Sequence, residues 1–265
     1  MKIVFFLLLS ALPFNHVQAQ YLSNQQLLEI ADDFIPPFYE FAALSNPPGS
    51  SAIDQYDVDK DGQNEIFLTL KEVGESKLTA VLLKKEDGKW SKAWETRGEG
   101  FGVDFTEFRD VTNDGKEELL IGWAVGASAG NTLDIFEWRN NTYDPIGKNP
   151  FYHKVEFIES DTKTSMAIWN RYCCDTYIVN VLSWEEGKFV HDEEMYKQYY
   201  PKIKVFYEKK IEKMDAWFYW YSLADAQIKA GLLNDAKESI RKGLSLSKDN
   251  EELLLLKETI DKENE

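Results

Sequence analysis

The stretch Asp57-Val58-Asp59-Lys60-Asp61-Gly62-Gln63-Asn64-Glu65, leading straight into Ile66-Phe67-Leu68, returns 53 residues later as Asp110-Val111-Thr112-Asn113-Asp114-Gly115-Lys116-Glu117-Glu118 before Leu119-Leu120-Ile121. Each copy is an acidic turn that opens an apolar strand. Oxygen-bearing side chains stand at loop positions 1, 3, 5 and 9, a glycine at 6 allows the tight turn, and the backbone carbonyl at 7 supplies one more oxygen. That spacing suits a hard divalent cation. The candidate metal ligands are Asp57, Asp59, Asp61, Gln63 through its carbonyl, and Glu65 in the first loop. In the second they are Asp110, Thr112, Asp114, Lys116 through its carbonyl, and Glu118. Carboxylates crowded to about 4 Å repel by on the order of 4 kcal/mol per pair at an effective dielectric of about 20, and bound Ca²⁺ removes that repulsion. Thr112 replaces a carboxylate, so the second loop is expected to bind more weakly. Position 12 is Leu68 or Ile121 inside a strand, not the bidentate Glu of a helix-flanked EF-hand.

The repeat continues past the loops. The offset of 53 carries Val81–Trp90 onto Asp134–Tyr143, and an offset of 46 carries that hairpin onto Asn180–Phe189, so that Trp184 falls on Trp138 and Phe189 on Tyr143. The turn pairs Asp87-Gly88, Asn140-Asn141 and Glu186-Gly187 predict antiparallel two-residue hairpins, because such turns need positive φ at both central residues. The third unit is shorter by seven residues and has no acidic loop. Short strands at a period near 50 point to propeller blades or a related sheet array, and three units are fewer than the four or more of a usual closed ring.

With their strand flanks, Asp-Val-Asp-Lys-Asp-Gly-Gln-Asn-Glu-Ile-Phe and Asp-Val-Thr-Asn-Asp-Gly-Lys-Glu-Glu-Leu-Leu resemble the calcium loops of FG-GAP and VCBS repeats in integrin-α-like propellers. The resemblance spans residues 50–190 and is specific at those loops; no Phe-Gly and Gly-Ala-Pro pair stands at blade spacing. It implies a structural Ca²⁺ that stiffens a loop between strands, and a domain that binds a protein or carbohydrate ligand without transforming it.

Beyond Met195 the period becomes helical. Trp220, Leu223, Ala224, Gln227, Gly231, Ala236, Ile240 and Gly243 follow the spacing of one tetratricopeptide repeat, which this segment resembles, with Ala224, Gln227 and Ile240 departing from its usual residues. A helix from Tyr199 to Met214 is expected before it, with Pro201 in the first turn, and another after it, capped by Asp249 and Glu252. One repeat cannot bury its own apolar face, so the helices are expected to dock on the sheets or on a partner. A short N-terminal helix is expected from Ser23 to Phe34, with Ser23 and Gln26 as a capping box. The expected fold class is therefore α+β: a propeller-like antiparallel β-repeat domain of about three units, then a tetratricopeptide-like tail. The expected divisions are residues 1–19, 20–45, 50–194 and 195–265.

Residues 1–19 read as a signal peptide: Lys2, the apolar run Ile3–Leu12, then Val17-Gln18-Ala19 as a small-residue cleavage site. The apolar run is shorter than the about 20 residues that span a bilayer, and no second long run follows. A periplasmic or extracellular protein without a transmembrane segment is the expectation. A formal charge of −16, with Asp and Glu outnumbering Lys and Arg 46 to 30, excludes a broad basic footprint for nucleic acid. The two cysteines, Cys173 and Cys174, are adjacent in sequence. They can form a strained vicinal disulfide, since neighbouring Cα atoms lie about 3.8 Å apart, below the usual disulfide range, pair with another chain, or stay as quiet thiols, a redox or metal role being the further alternative.

An enzymatic reading has little to rest on. Gly126-Ala127-Ser128-Ala129-Gly130 matches the hydrolase pattern Gly-x-Ser-x-Gly, with His153 or His191 as the available base, but the segment after it is strand-like where a nucleophile elbow needs a helix. A glycosidase pair of carboxylates is unmarked among so many acids. Zinc-protease, phosphate-loop and dinucleotide signatures are absent. The expectation is a non-catalytic binding or scaffolding protein, the alternatives being a secreted hydrolase and an adaptor acting through an exposed helical face at Trp217, Tyr221 and Leu233. Trp123, Trp138, Trp169 and Trp184 are expected in the core rather than as a sugar platform.

Overall fold

The computed structural model describes residues 21–126, 128–147 and 150–263, so the signal-peptide reading of residues 1–19 lies outside the described residues. Three antiparallel sheets of four or five strands are followed by four C-terminal helices. Each sheet is built on a four-strand meander. The first runs β2 (Ile53–Tyr56), β3 (Glu65–Glu72), β4 (Lys77–Glu86), β5 (Lys89–Glu99), and β1 (Tyr39–Phe41) extends the β2 edge of β3. The second runs β6 (Gly102–Arg109), β7 (Glu118–Gly126), β8 (Gly130–Arg139), β9 (Thr142–Pro145), with β10 (Phe151–Tyr152) continuing the β9 edge of β8. The third runs β11 (Lys154–Glu159), β12 (Thr164–Arg171), β13 (Tyr177–Glu185), β14 (Lys188–His191). The three hairpin turns lie where the repeat places them, with positive φ at both residues: +49° and +78° at Asp87-Gly88, +50° and +62° at Asn140-Asn141, +49° and +84° at Glu186-Gly187.

Strand side chains alternate between faces, so a sheet with apolar residues on both faces must be covered on both. Phe67, Leu78, Ala80 and Leu82 of the first sheet pack against Leu119, Ile121, Trp123 and Phe136 of the second. The opposite face of the second sheet, with Phe105, Leu120, Leu133 and Ile135, meets Met166 and Ile168 of the third. The outer face of the first sheet is covered by α1 (Asn24–Asp32) through Leu27 and Ala31. The outer face of the third, with Ala167, Trp169, Val179 and Val181, is covered by α2 (Glu193–Lys213) and α3 (Trp217–Lys229). A second layer, α4 (Leu233–Leu246) and α5 (Glu251–Glu263), packs on α3 around Ala224, Ala236, Ile240 and Leu253. Helices thus close both ends of a three-sheet stack, and the sheets do not meet in a ring.

Local signals set several boundaries. Ser23 caps α1 with the full capping box to Gln26. The expected start of α2 at Tyr199 is corrected: Asp192 is the cap, its carboxylate accepting from the Met195 N–H, and Pro201 lies inside the helix rather than in its first turn. The early start is favoured because Met195, Tyr196, Tyr199 and Ile203 then form one buried stripe against the third sheet. Asn250, not Asp249, caps α5, accepting from the Leu253 N–H at 2.9 Å. Residues 39–41 belong to the first sheet, not to a linker. Among the described residues no helix is long and apolar enough to cross a membrane.

Candidate cation loops

Both acidic loops connect the first two strands of a meander, β2 to β3 and β6 to β7, and they share one backbone course. Position 4 has positive φ in each (Lys60 +59°, Asn113 +62°), as does the glycine at position 6 (Gly62 and Gly115, both +87°). Position 1 closes the turn: Asp57 Oδ2 accepts from Gly62 N and Asp110 Oδ2 from Gly115 N, both at 3.0 Å. Position 9 ties the loop to its own start, Glu65 Oε2 accepting from Val58 N at 3.0 Å and Glu118 Oε2 from Val111 N at 2.9 Å. The loops are neighbours in space, since Lys60 Nζ donates to the Gly115 carbonyl at 3.4 Å. Asn113 Oδ1 accepts from Thr164 N at 2.6 Å, which places the second loop against the third sheet.

The structure gathers three of the four predicted carboxylates of the first loop, Glu65 being outside the group, and all three of the second. One ligand oxygen each from Asp57, Asp59 and Asp61 lies within 4.8 Å of the others, and so does one each from Asp110, Asp114 and Glu118. The two sets differ in how their charge is answered. In the first, the Lys84 ammonium reaches in from β4 and donates to Asp59, to Glu65 Oε1 at 3.0 Å and to Asp61 Oδ2 at 3.3 Å. Burial disfavours the charge on Lys84, but the hydrogen bonds to Asp59 and Glu65 outweigh it and hold the ammonium above its ordinary pKa. Burial likewise raises Glu65, against the lowering effect of Lys84. Asp57 Oδ1 is buried without a partner.

In the second loop, among the described residues, no lysine or arginine forms an ion pair with Asp110, Asp114 or Glu118. Glu118 is fully buried and accepts from Val111 N, Thr112 N and Thr112 Oγ1. Burial pushes its carboxyl up to about 7, the three hydrogen bonds only partly opposing, with Asp110 adding a further upward push. Thr112 therefore serves Glu118 as a donor. A divalent cation fits this set: three oxygens converge, one on a buried acid that has hydrogen-bond donors but no ion-pair partner among the described residues, and the Lys116 carbonyl stands at position 7. The first set fits less well, because Lys84 already bonds Asp59 and Asp61, two of its three converging carboxylates, as well as Glu65. Counting carboxylates along the loop could not reveal Lys84, which is 19 residues beyond Glu65; the detectable signal was a lysine at the apolar end of a buried strand.

The other sequence candidates fall apart from the loops. Ser128 is exposed in the turn between β7 and β8, so its surroundings are strand, turn, strand. His153 Nε2 lies 3.4 Å from the Ser128 carbonyl, and Nδ1 accepts from Arg171 N at 3.1 Å, so both ring nitrogens are engaged away from the Ser128 hydroxyl. His191 sits at the end of β14 against Tyr196. Cys173 and Cys174 are free thiols in a turn whose Cys174 has φ +51°; burial raises the Cys173 thiol, with Cys174 a further contributor. Trp123 and Trp169 are buried, whereas Trp138 and Trp184 are half-buried and pack edge-on against Tyr143 and Phe189. Trp217, Tyr221 and Leu233 pack within the helical layer. A scan of protein-family models and a search of curated proteins each return no match to this chain.

Proposed function

We propose that this is an exported, non-catalytic binding or scaffolding protein of the cell envelope or exterior, whose stack of blade-like sheets is stiffened by Ca²⁺ at the Asp110–Glu118 loop. The observation that carries the reading is the convergence of Asp110, Asp114 and buried Glu118 with no lysine or arginine among the described residues paired to them. An ion there would link β6 and β7 of the middle sheet, beside the Asn113 contact to the third sheet. The likeness to FG-GAP and VCBS loops and to a tetratricopeptide repeat supports the same reading, with a protein or carbohydrate as the bound partner. The tail is docked on the third sheet, which favours a rigid platform over an adaptor acting through a free helical face.

The test is calorimetric titration of the mature chain with Ca²⁺ beside the double variant Asp110→Asn, Asp114→Asn. The expected result is one weak site, with Kd of about 10⁻⁴–10⁻³ M as in extracellular modules, lost in the variant. No heat with the unaltered protein, or the same heat with the variant, refutes the metal role. A pull-down from envelope extracts with and without chelator tests the binding role.

A further inference from the structure

The same position in the three sheets carries three different answers to one problem. Carrying the register Ile66↔Leu83 one residue further sets Glu65 opposite Lys84; carrying Leu119↔Phe136 one residue further sets Glu118 opposite Glu137. In the third sheet Ser165 and Ser183 bond through their hydroxyls at 2.7 Å at the corresponding place. All six side chains belong to buried residues, on the face each sheet turns toward the next layer. Cross-strand neighbours of opposite charge attract and like charges repel, so an acid opposite an acid needs outside help where an acid opposite a lysine does not. Glu137 obtains part of that help from its ion pair with Arg139.

We infer that Lys84 is the resident cation of the first acidic loop, a tethered ammonium that neutralises Asp59, Asp61 and Glu65 and keeps divalent metal out of a loop that otherwise has the spacing to bind it. The lysine comes from a strand that the sheet fixes in register, and its side chain is only 10% exposed, so the ammonium is delivered by the fold rather than found by chance at the surface. Removing it strips the ammonium from Asp59, Asp61 and buried Glu65, and leaves Asp59 and Asp61 converging within 4.8 Å with Asp57, whose Oδ1 has no hydrogen-bond partner. That is a divalent cation site. The inference concerns the first loop alone and stands or falls separately from Ca²⁺ at the second.

The experiment compares Asp110→Asn, Asp114→Asn with the same protein carrying Lys84→Met in addition, a change that keeps an unbranched chain as far as Cε and removes the ammonium. Calorimetry should show no Ca²⁺ site in the first and one site in the second. In chelator, adding Lys84→Met should lower Tm by roughly 10 °C, since breaking a buried ion pair strands its partners, and millimolar Ca²⁺ should restore most of the loss. Amine labelling of the unaltered protein in chelator, read by mass spectrometry, needs no variant to fold: Lys84 should stay unmodified while the exposed Lys60 and Lys85 react. The inference is overturned if Lys84 labels as fast as Lys85, if Asp110→Asn, Asp114→Asn keeps a site that Asp59→Asn, Asp61→Asn abolishes, or if a folded Lys84→Met protein gains no site.

Discussion

Replacing Glu118 by Gln isolates the cost of an unanswered buried charge. With the folded-state carboxyl raised from 4.5 to about 7, the shift corresponds to about 3 kcal/mol at 1.36 kcal/mol per unit. Asp110 and Asp114 are partly in contact with water, which screens the site, so about half of that is expected. The sign follows from proton counting. Between pH 4.5 and 7 the folded chain holds a proton at Glu118 that the unfolded chain has released, so stability present at acid pH is lost as pH rises through about 7. Glu65 is shifted in the same direction, and it cancels when the two proteins are compared. Thermal melts of unaltered protein and Glu118→Gln in chelator, from pH 5 to pH 8, should therefore diverge, the unaltered protein losing about 3–6 °C relative to the variant at 2–4 °C per kcal/mol. Ca²⁺ should erase that divergence, because the ion holds the carboxylate ionised. A difference that is flat with pH, or that grows toward acid, refutes the assignment of Glu118 as a buried acid without a cation.

Glu156 should behave in the opposite sense. Burial would raise it, but Lys154, Lys202 and Tyr199 together pull it down to about 2, so its contribution of about 1 kcal/mol after screening is lost as pH falls from about 4.5 to 2. Acid melts of Glu156→Gln should show a shallower fall than those of the unaltered chain. Gly98→Ala should destabilise by about 2 kcal/mol in urea unfolding, because a Cβ there would lie 2.2 Å from the ring of Trp123, itself buried and bonded through Nε1 to Asp134. Truncation after His191 removes the cover from Ala167, Trp169, Val179 and Val181, and the shortened chain should bind a hydrophobic dye and elute as aggregate on size exclusion.

The repeat, the hairpins and the loop course were legible because each depends on residues close together in the chain. Asp-Gly, Asn-Asn and Glu-Gly pairs answer a local demand for positive φ, Ser23 and Gln26 cap a helix three residues apart, and an Asp at position 1 reaches a Gly N–H at position 6 within one turn. The start of α2 was not legible: Pro201 looked like a first-turn residue, and only the tyrosine stripe packed on the third sheet favours an earlier cap at Asp192. The strands β1 and β10 were missed for a similar reason. At three and two residues they carry no periodicity of their own and exist because an edge of β3 and of β8 was left to pair.

By itself the sequence determined the repeating unit, its acidic turns and the change from strand to helix, since backbone preference and short-range hydrogen bonding settle those. Only the tertiary structure decided how each charge is met. Sheet register brings Lys84 across to Glu65 and sets Glu137 opposite Glu118, so two loops of one spacing acquire different electrostatics from residues on a neighbouring strand. It decided, too, that three sheets end in helical covers, because an apolar face that meets no fourth sheet must be taken out of water by something else.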